Sequence, residues 1–224
     1  MTTAHDYAHQ NQERFQQQLI DLCRIPSVST DPERKGETLQ AAEWVAADMR
    51  KIGLNNVQIM PTPLHPVVYG EWLGAGPNAK TVLVYGHYDV QPAVTSDGWD
   101  QDPFEPTVKD GILYCRGSSD DKGQMFAQLK AFEAMLANGK PTVNVKFLIE
   151  GEEEIGSPNL GKFVAAHRDL LMADVCVISD GSVIALDRPS IGYSTRGLMY
   201  LELEVFGAKQ DLHSGAFGGI VHNP

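Results

Sequence analysis

K-T-V-L-V-Y-G-H-Y-D-V-Q, residues 80–91, is the stretch around which the rest of the chain arranges itself. The apolar run 81–85 is rich in β-branched residues and bounded by turn-formers, which predicts a buried strand. It delivers Gly86, His87, Tyr88 and Asp89 at its carboxyl end, where open α/β sheets collect ligands and chemistry. In an extended chain His87 and Asp89 share a face, because side chains alternate with period two. A carboxylate so placed can fix the tautomer and orientation of a metal-binding imidazole. Taken alone, His87 reads more readily as an ordinary histidine at a strand end. Two later strands that also end in acids change that reading.

Outward from this strand, the pattern alternates helices and strands. An amphipathic helix is expected over 6–24, with Phe15, Leu19, Leu22 and Cys23 on one stripe and Pro26 as its stop. A loop over 27–36 leads to a second helix reaching Ile52, with Gly53 past its end. Strands are expected at 57–60 and 67–72. Asp110-Gly111 between alternating apolar residues marks a hairpin over 107–115. After R-G-S-S-D-D-K-G, residues 116–123, a helix runs to about Asn138. A buried strand at 143–149 enters E-G-E-E-E-I-G. A helix over 160–167 leads to a strand at 174–178 that ends at Ser179-Asp180. Such alternation predicts an α/β fold with a mainly parallel, doubly wound sheet. Beyond Pro189 the character changes: L-M-Y-L-E-L-E-V-F, residues 198–206, suits a half-exposed antiparallel strand. The expected division is 1–188 and 189–224, with the boundary near 187–190.

The chain has 224 residues, 42% of them hydrophobic and 21% charged, as in an ordinary globular protein. A formal net charge of −11 argues against a nucleic-acid partner, which requires clustered Lys and Arg. No run approaches the roughly 18 apolar residues of a membrane span, and no basic-then-apolar leader opens the sequence. Cys23, Cys115 and Cys176 are odd in number and far apart, which suits reduced thiols in the cytoplasm.

Three apolar strands therefore end in His87 and Asp89, in Glu152, Glu153 and Glu154, and in Asp180, while Asp120-Asp121 opens a helix. Parallel strands bring their carboxyl ends together, so these groups should converge. Carboxylates so close together need a compensating cation. One imidazole with several oxygens suits zinc or manganese better than magnesium. Each acid has a plainer reading, Asp120 as a helix cap, the Glu run as a solvated turn, Asp180-Gly181 as a turn. Their joint arrival at strand ends favours the metal site.

At these residues the sequence resembles the co-catalytic di-zinc metallopeptidases, the family of carnosine dipeptidase, aminoacylase, carboxypeptidase G and succinyl-diaminopimelate desuccinylase. The carnosine-dipeptidase branch matches best through G-H-Y-D-V-Q-P, G-W-D-Q-D-P-F-E-P, R-G-S-S-D-D-K-G, E-G-E-E-E-I-G-S and D-L-H-S-G-A-F-G-G. The resemblance implies two divalent ions, zinc foremost with manganese as the alternative. His87 and Asp180 would bind one, Asp120 would bridge both, and Glu154 would bind the other. Asp89 would orient His87, and Glu153 would be the general base; Glu152 is left as a bystander. The Asp120–Asp121 peptide is expected to be cis. His213 matches a lid-domain histidine that reaches substrate in a partner subunit, so residues 189–224 would begin an inserted α+β lid and dimerisation domain. In the family the chain then returns with a further histidine ligand, which these 224 residues do not contain in its motif.

The resemblance implies metal-dependent hydrolysis of dipeptides or short peptides by a homodimer. The alternatives are an N-acyl-amino-acid deacylase of the same family and a non-catalytic domain that keeps the scaffold. Within these residues one ion would have His87, Asp120 and Asp180 and the other only Asp120 and Glu154. The expectation for the chain by itself is one tight divalent ion, no dipeptide turnover and a tendency to aggregate.

Overall fold

In the computed structural model, residues 3–185, 187–188 and 190–222 are described. Of the expected boundary stretch, Pro189 lies outside them. Helix α1 (Ala4–Gln10) is opened by a Thr3 and Asp6 capping box. Helix α2 (Gln12–Cys23) follows directly, so the single helix expected over 6–24 is two. The break is at Asn11, whose side-chain amide donates to Tyr7 O at 2.9 Å and so competes with the helical ladder. Within the expected loop, Asp31 caps a short 3₁₀ turn at Pro32–Arg34. Helix α3 (Lys35–Lys51) then runs to Ile52, and Gly53 takes the left-handed φ of 94° that closes it.

Strands β1 (Asn55–Met60) and β2 (Val67–Trp72) precede β3 (Thr81–His87). The hairpin β4 (Thr107–Lys109) and β5 (Ile112–Tyr114) turns at Asp110 and Gly111, both at positive φ. Helix α4 (Lys122–Ala137), β6 (Asn144–Glu150), α5 (Leu160–Ala166), α6 (Arg168–Leu171) and β7 (Val175–Ile178) complete the first unit. The main sheet has the order β1-β2-β6-β3-β7. Strands β6, β3 and β7 are parallel, while β2 is antiparallel to both β6 and β1. Four of the five strands thus point one way, with β2 reversed.

Helices cover both faces. On one, Ala42, Val45 and Met49 of α3 and Met125, Leu129 and Phe132 of α4 pack on Val84, Val145, Phe147 and Ile149. On the other, Phe163 and Leu171 meet Val67, Tyr69 and Leu148. Every residue of β6 is buried, Asn144, Lys146 and Glu150 included, as fits a central strand covered on both faces. A buried ion pair, Lys130 Nζ to Asp48 at 2.8 Å, ties α4 to α3.

Residues 183–224 form a second compact unit, divided from 1–182. Its described residues include helix α7 (Ser214–Phe217). The strand expected over 198–206 is absent: the segment has no regular structure, and its apolar side chains, such as Leu201 and Leu203, are exposed. The alternation is there, but among the described residues no neighbouring strand pairs with it, and an isolated strand is not stable.

Candidate metal centre

Register sets the site. His87 at the end of β3 lies opposite Glu150 at the end of β6, and Tyr85 lies opposite Ile178 of β7. The chains that leave these strands, 87–89, 151–154 and 179–180, therefore emerge at the same end. Gly151 is required there, because a Cβ would stand 2.3 Å from the Tyr88 ring. Glu153–Ile155 then forms a 3₁₀ turn closed by Gly156 at φ 82°. Asp120 and Asp121 come from the loop that opens α4. Gly86 lets α4 approach β3, since a Cβ would meet Asp121 Oδ2 at 2.7 Å. The Asp120–Asp121 peptide is cis.

The buried His87 ring is the hub. Its Nε2 lies 3.2 Å from Asp120 Oδ1, 3.6 Å from Asp180 Oδ2 and 4.0 Å from Glu153 Oε2. Donor atoms of His87, Glu153 and Asp180 lie within 4.8 Å of one another, as do those of His87, Asp120 and Glu154. His87 Nδ1 faces Asp89, 3.0 Å from its main-chain oxygen and 3.3 Å from its carboxylate. That carboxylate also accepts the N–H groups of Glu153 (3.3 Å) and Glu154 (3.1 Å). Asp89 thus holds the imidazole and the turn carrying both acids, a second duty the sequence does not disclose. His87 N–H donates to Asp121 Oδ2 at 3.0 Å, and Gln91 Nε2 donates to Glu154 Oε2 at 2.8 Å. Gln91 lies inside the G-H-Y-D-V-Q-P segment, and its position there was the available signal. Glu152 is buried and hydrogen-bonded, and it belongs to neither donor group.

Electrostatics follow from crowding. Burial works against a charged His87, but Asp89, Asp121 and Glu153 outweigh it and push the imidazole up to about 10. Burial, with neighbouring carboxylates in support, raises Glu153 and Glu154 above the usual range and Asp121 to about 6. With Nδ1 turned to Asp89, His87 Nε2 is a buried nitrogen that makes no hydrogen bond, although Asp120 Oδ1 lies 3.2 Å away. An unengaged ring nitrogen facing several carboxylate oxygens is a fitting donor set for a divalent ion.

His213 lies outside the first unit, which carries the cluster. It belongs to the second unit, where it is exposed and its Nδ1 accepts the Gly215 N–H at 3.1 Å, capping α7. A separate groove of about 580 Å³, lined by Phe15, Leu19, Leu113 and Phe126 among others, shares no residue with the cluster. Its walls are mainly apolar, with Gln12, Gln16 and Lys130 among them, and Lys130 is already paired with Asp48.

Residues 83–206 match the model of peptidase family M20/M25/M40. The chain belongs to that family. It is 40% identical to the human Beta-Ala-His dipeptidase over 97% of its length, and 37% identical to the Schizosaccharomyces pombe Cys-Gly metallodipeptidase dug1 over 95%. These alignments take in 46% and 47% of the two relatives, so the chain spans about half their length. The structure of human carnosine dipeptidase 1 superposes with a TM-score of 0.80 at 33% identity, covering 99% of this chain and 49% of that one.

Proposed function

We propose that this chain carries the metal-binding face of a metal-dependent dipeptidase that hydrolyses the peptide bond of dipeptides or short peptides. The observation that carries the reading is the convergence of His87, Asp120, Glu153, Glu154 and Asp180 at one end of the sheet. The similarity to proteins named as dipeptidases supports the substrate class. In this reading the protein takes two divalent ions, zinc or manganese. His87, Asp120, Glu154 and Asp180 would hold them. Such ions would supply Lewis-acid chemistry, polarising the scissile carbonyl and lowering the pKa of water.

The chain's own residues do the rest. Glu153, half-buried and above the ordinary carboxylate range through burial, accepts the proton of the attacking water and returns it to the leaving nitrogen. Asp89 fixes His87 in the tautomer that presents Nε2 and holds the Glu153–Glu154 main chain beside it. His213 reaches the substrate from a partner subunit, with the second unit serving as lid and dimerisation element. Unpaired Cys23, Cys115 and Cys176 suit the cytoplasm. No described helix is long and apolar enough to cross a membrane.

The test uses the complete protein, loaded with Zn²⁺ or Mn²⁺ and offered a panel of dipeptides and N-acyl amino acids. Cleavage of dipeptides is expected. Cleavage of N-acyl amino acids alone would transfer the reading to a deacylase, and cleavage of neither would overturn it.

A further inference from the structure

We infer that Glu152, the acid just before the two proposed to act, is a positioning residue that clamps the Glu153–Glu154 turn from behind. The inference rests on the proposed metal-hydrolase reading and adds a part to it. Glu152 is 2% exposed, with no cation beside its carboxylate among the described residues. Three donors converge on it instead. The Thr62 hydroxyl and the His65 N–H (3.0 Å) donate to Oε1, and Asn159 Nδ2 donates to Oε2 at 2.8 Å. Its main-chain carbonyl accepts from Ile155 N (3.3 Å) and Ser157 N (2.8 Å), which closes the turn.

One residue thus joins three pieces of chain: the 61–66 connection between β1 and β2, the start of α5, and the catalytic turn itself. Asp89 also holds this turn, through the Glu153 and Glu154 N–H groups. Two carboxylates therefore hold the turn, one of which also holds His87. Hydrogen bonds to a carboxylate are among the stronger ones, and removing it leaves the His65 N–H and Asn159 Nδ2 without an acceptor, while the Thr62 hydroxyl keeps only the His65 carbonyl at 2.7 Å. The turn would then drift relative to His87, and a displacement of about 1 Å can cost about 10²-fold in rate.

The experiment compares the complete protein with Glu152→Ala, Glu152→Gln and Thr62→Val. Zn²⁺ affinity is read by chelator competition, the visible spectrum of the Co²⁺-loaded protein reports ligand geometry, and the melting temperature of the metal-free protein is the control. Glu152→Ala is expected to weaken Zn²⁺ binding on the order of 10–100-fold, as loss of outer-shell partners does, and to alter the Co²⁺ spectrum. Glu152→Gln keeps an acceptor for Thr62 and His65, and Asn159 can turn its amide to meet the new NH₂, so affinity and spectrum should recover. Thr62→Val should move both in the same direction as Glu152→Ala by a smaller amount, and it keeps the test alive if Glu152→Ala does not fold. Unchanged affinity and spectrum in Glu152→Ala, even with a lower melting temperature, would overturn the inference. So would Glu152→Gln behaving like Glu152→Ala, because charge and not position would then be at work. If the unsubstituted protein binds neither ion, the metal-hydrolase reading falls and the inference with it; the first two failures leave that reading standing.

Discussion

His87 is buried among acids whose charge outweighs the cost of burial and lifts its imidazole to about 10 in the metal-free protein. A divalent ion needs the neutral ring, so binding near neutral pH expels a proton, and affinity should rise with pH by up to about tenfold per unit. Calorimetric titration in buffers of different ionisation enthalpy measures that proton directly; none released would contradict the assignment of His87 as ligand. Stability carries the same sign. The folded value lies above the ordinary 6.5, so the stabilisation is complete below about 6.5 and is lost as pH rises through about 10. In urea unfolding of the metal-free protein, the gap between wild type and His87→Gln should therefore narrow across that window. For Glu153, a Gln replacement should keep the ions and lower kcat by about 10²–10⁴-fold or more, the share general-base catalysis supplies. Near-normal turnover would remove the base from Glu153. The residues at strand ends were legible because register alone brings them together. Glu152 and Gln91 were not. The partners that give Glu152 its place, Thr62 and His65, lie 90 and 87 residues away, and no local spacing encodes which loop folds over a side chain.

At the scale of elements, β3 meets the start of α4 with little room to spare. Gly86→Ala puts a Cβ 2.7 Å from Asp121 Oδ2 and 3.0 Å from Met125 Cβ. The expected cost is about 1–3 kcal/mol, the range for overpacking a core. Urea denaturation should show it, together with weaker ion binding as Asp121 and the adjoining Asp120 are pushed aside; a neutral substitution would mean the helix can shift freely. Breaking the buried α3–α4 ion pair with Asp48→Asn should cost about 3–5 kcal/mol, since Lys130 would keep its charge with less to balance it. Periodicity and turn chemistry made most of these elements readable: Asp110-Gly111 gave the hairpin, and the mostly apolar stretch 143–149 gave a buried strand. The break at Asn11 escaped because the apolar stripe runs on and a single side-chain cap decides. Residues 198–206 misled because alternation states which side chains would share a face, not whether a partner strand exists.

The first unit, 1–182, carries the whole converged cluster, and the second, 183–224, carries His213. Both three-residue donor groups found among the described residues use His87. A single Nε2 can bind one ion, so this chain by itself should hold one divalent ion tightly. The most direct test is a calorimetric Zn²⁺ titration of the 224-residue chain after chelation, beside His87→Asn. The account predicts one tight site per chain in the parent and its loss in His87→Asn; no tight site, two tight sites, or binding that survives the substitution would contradict it.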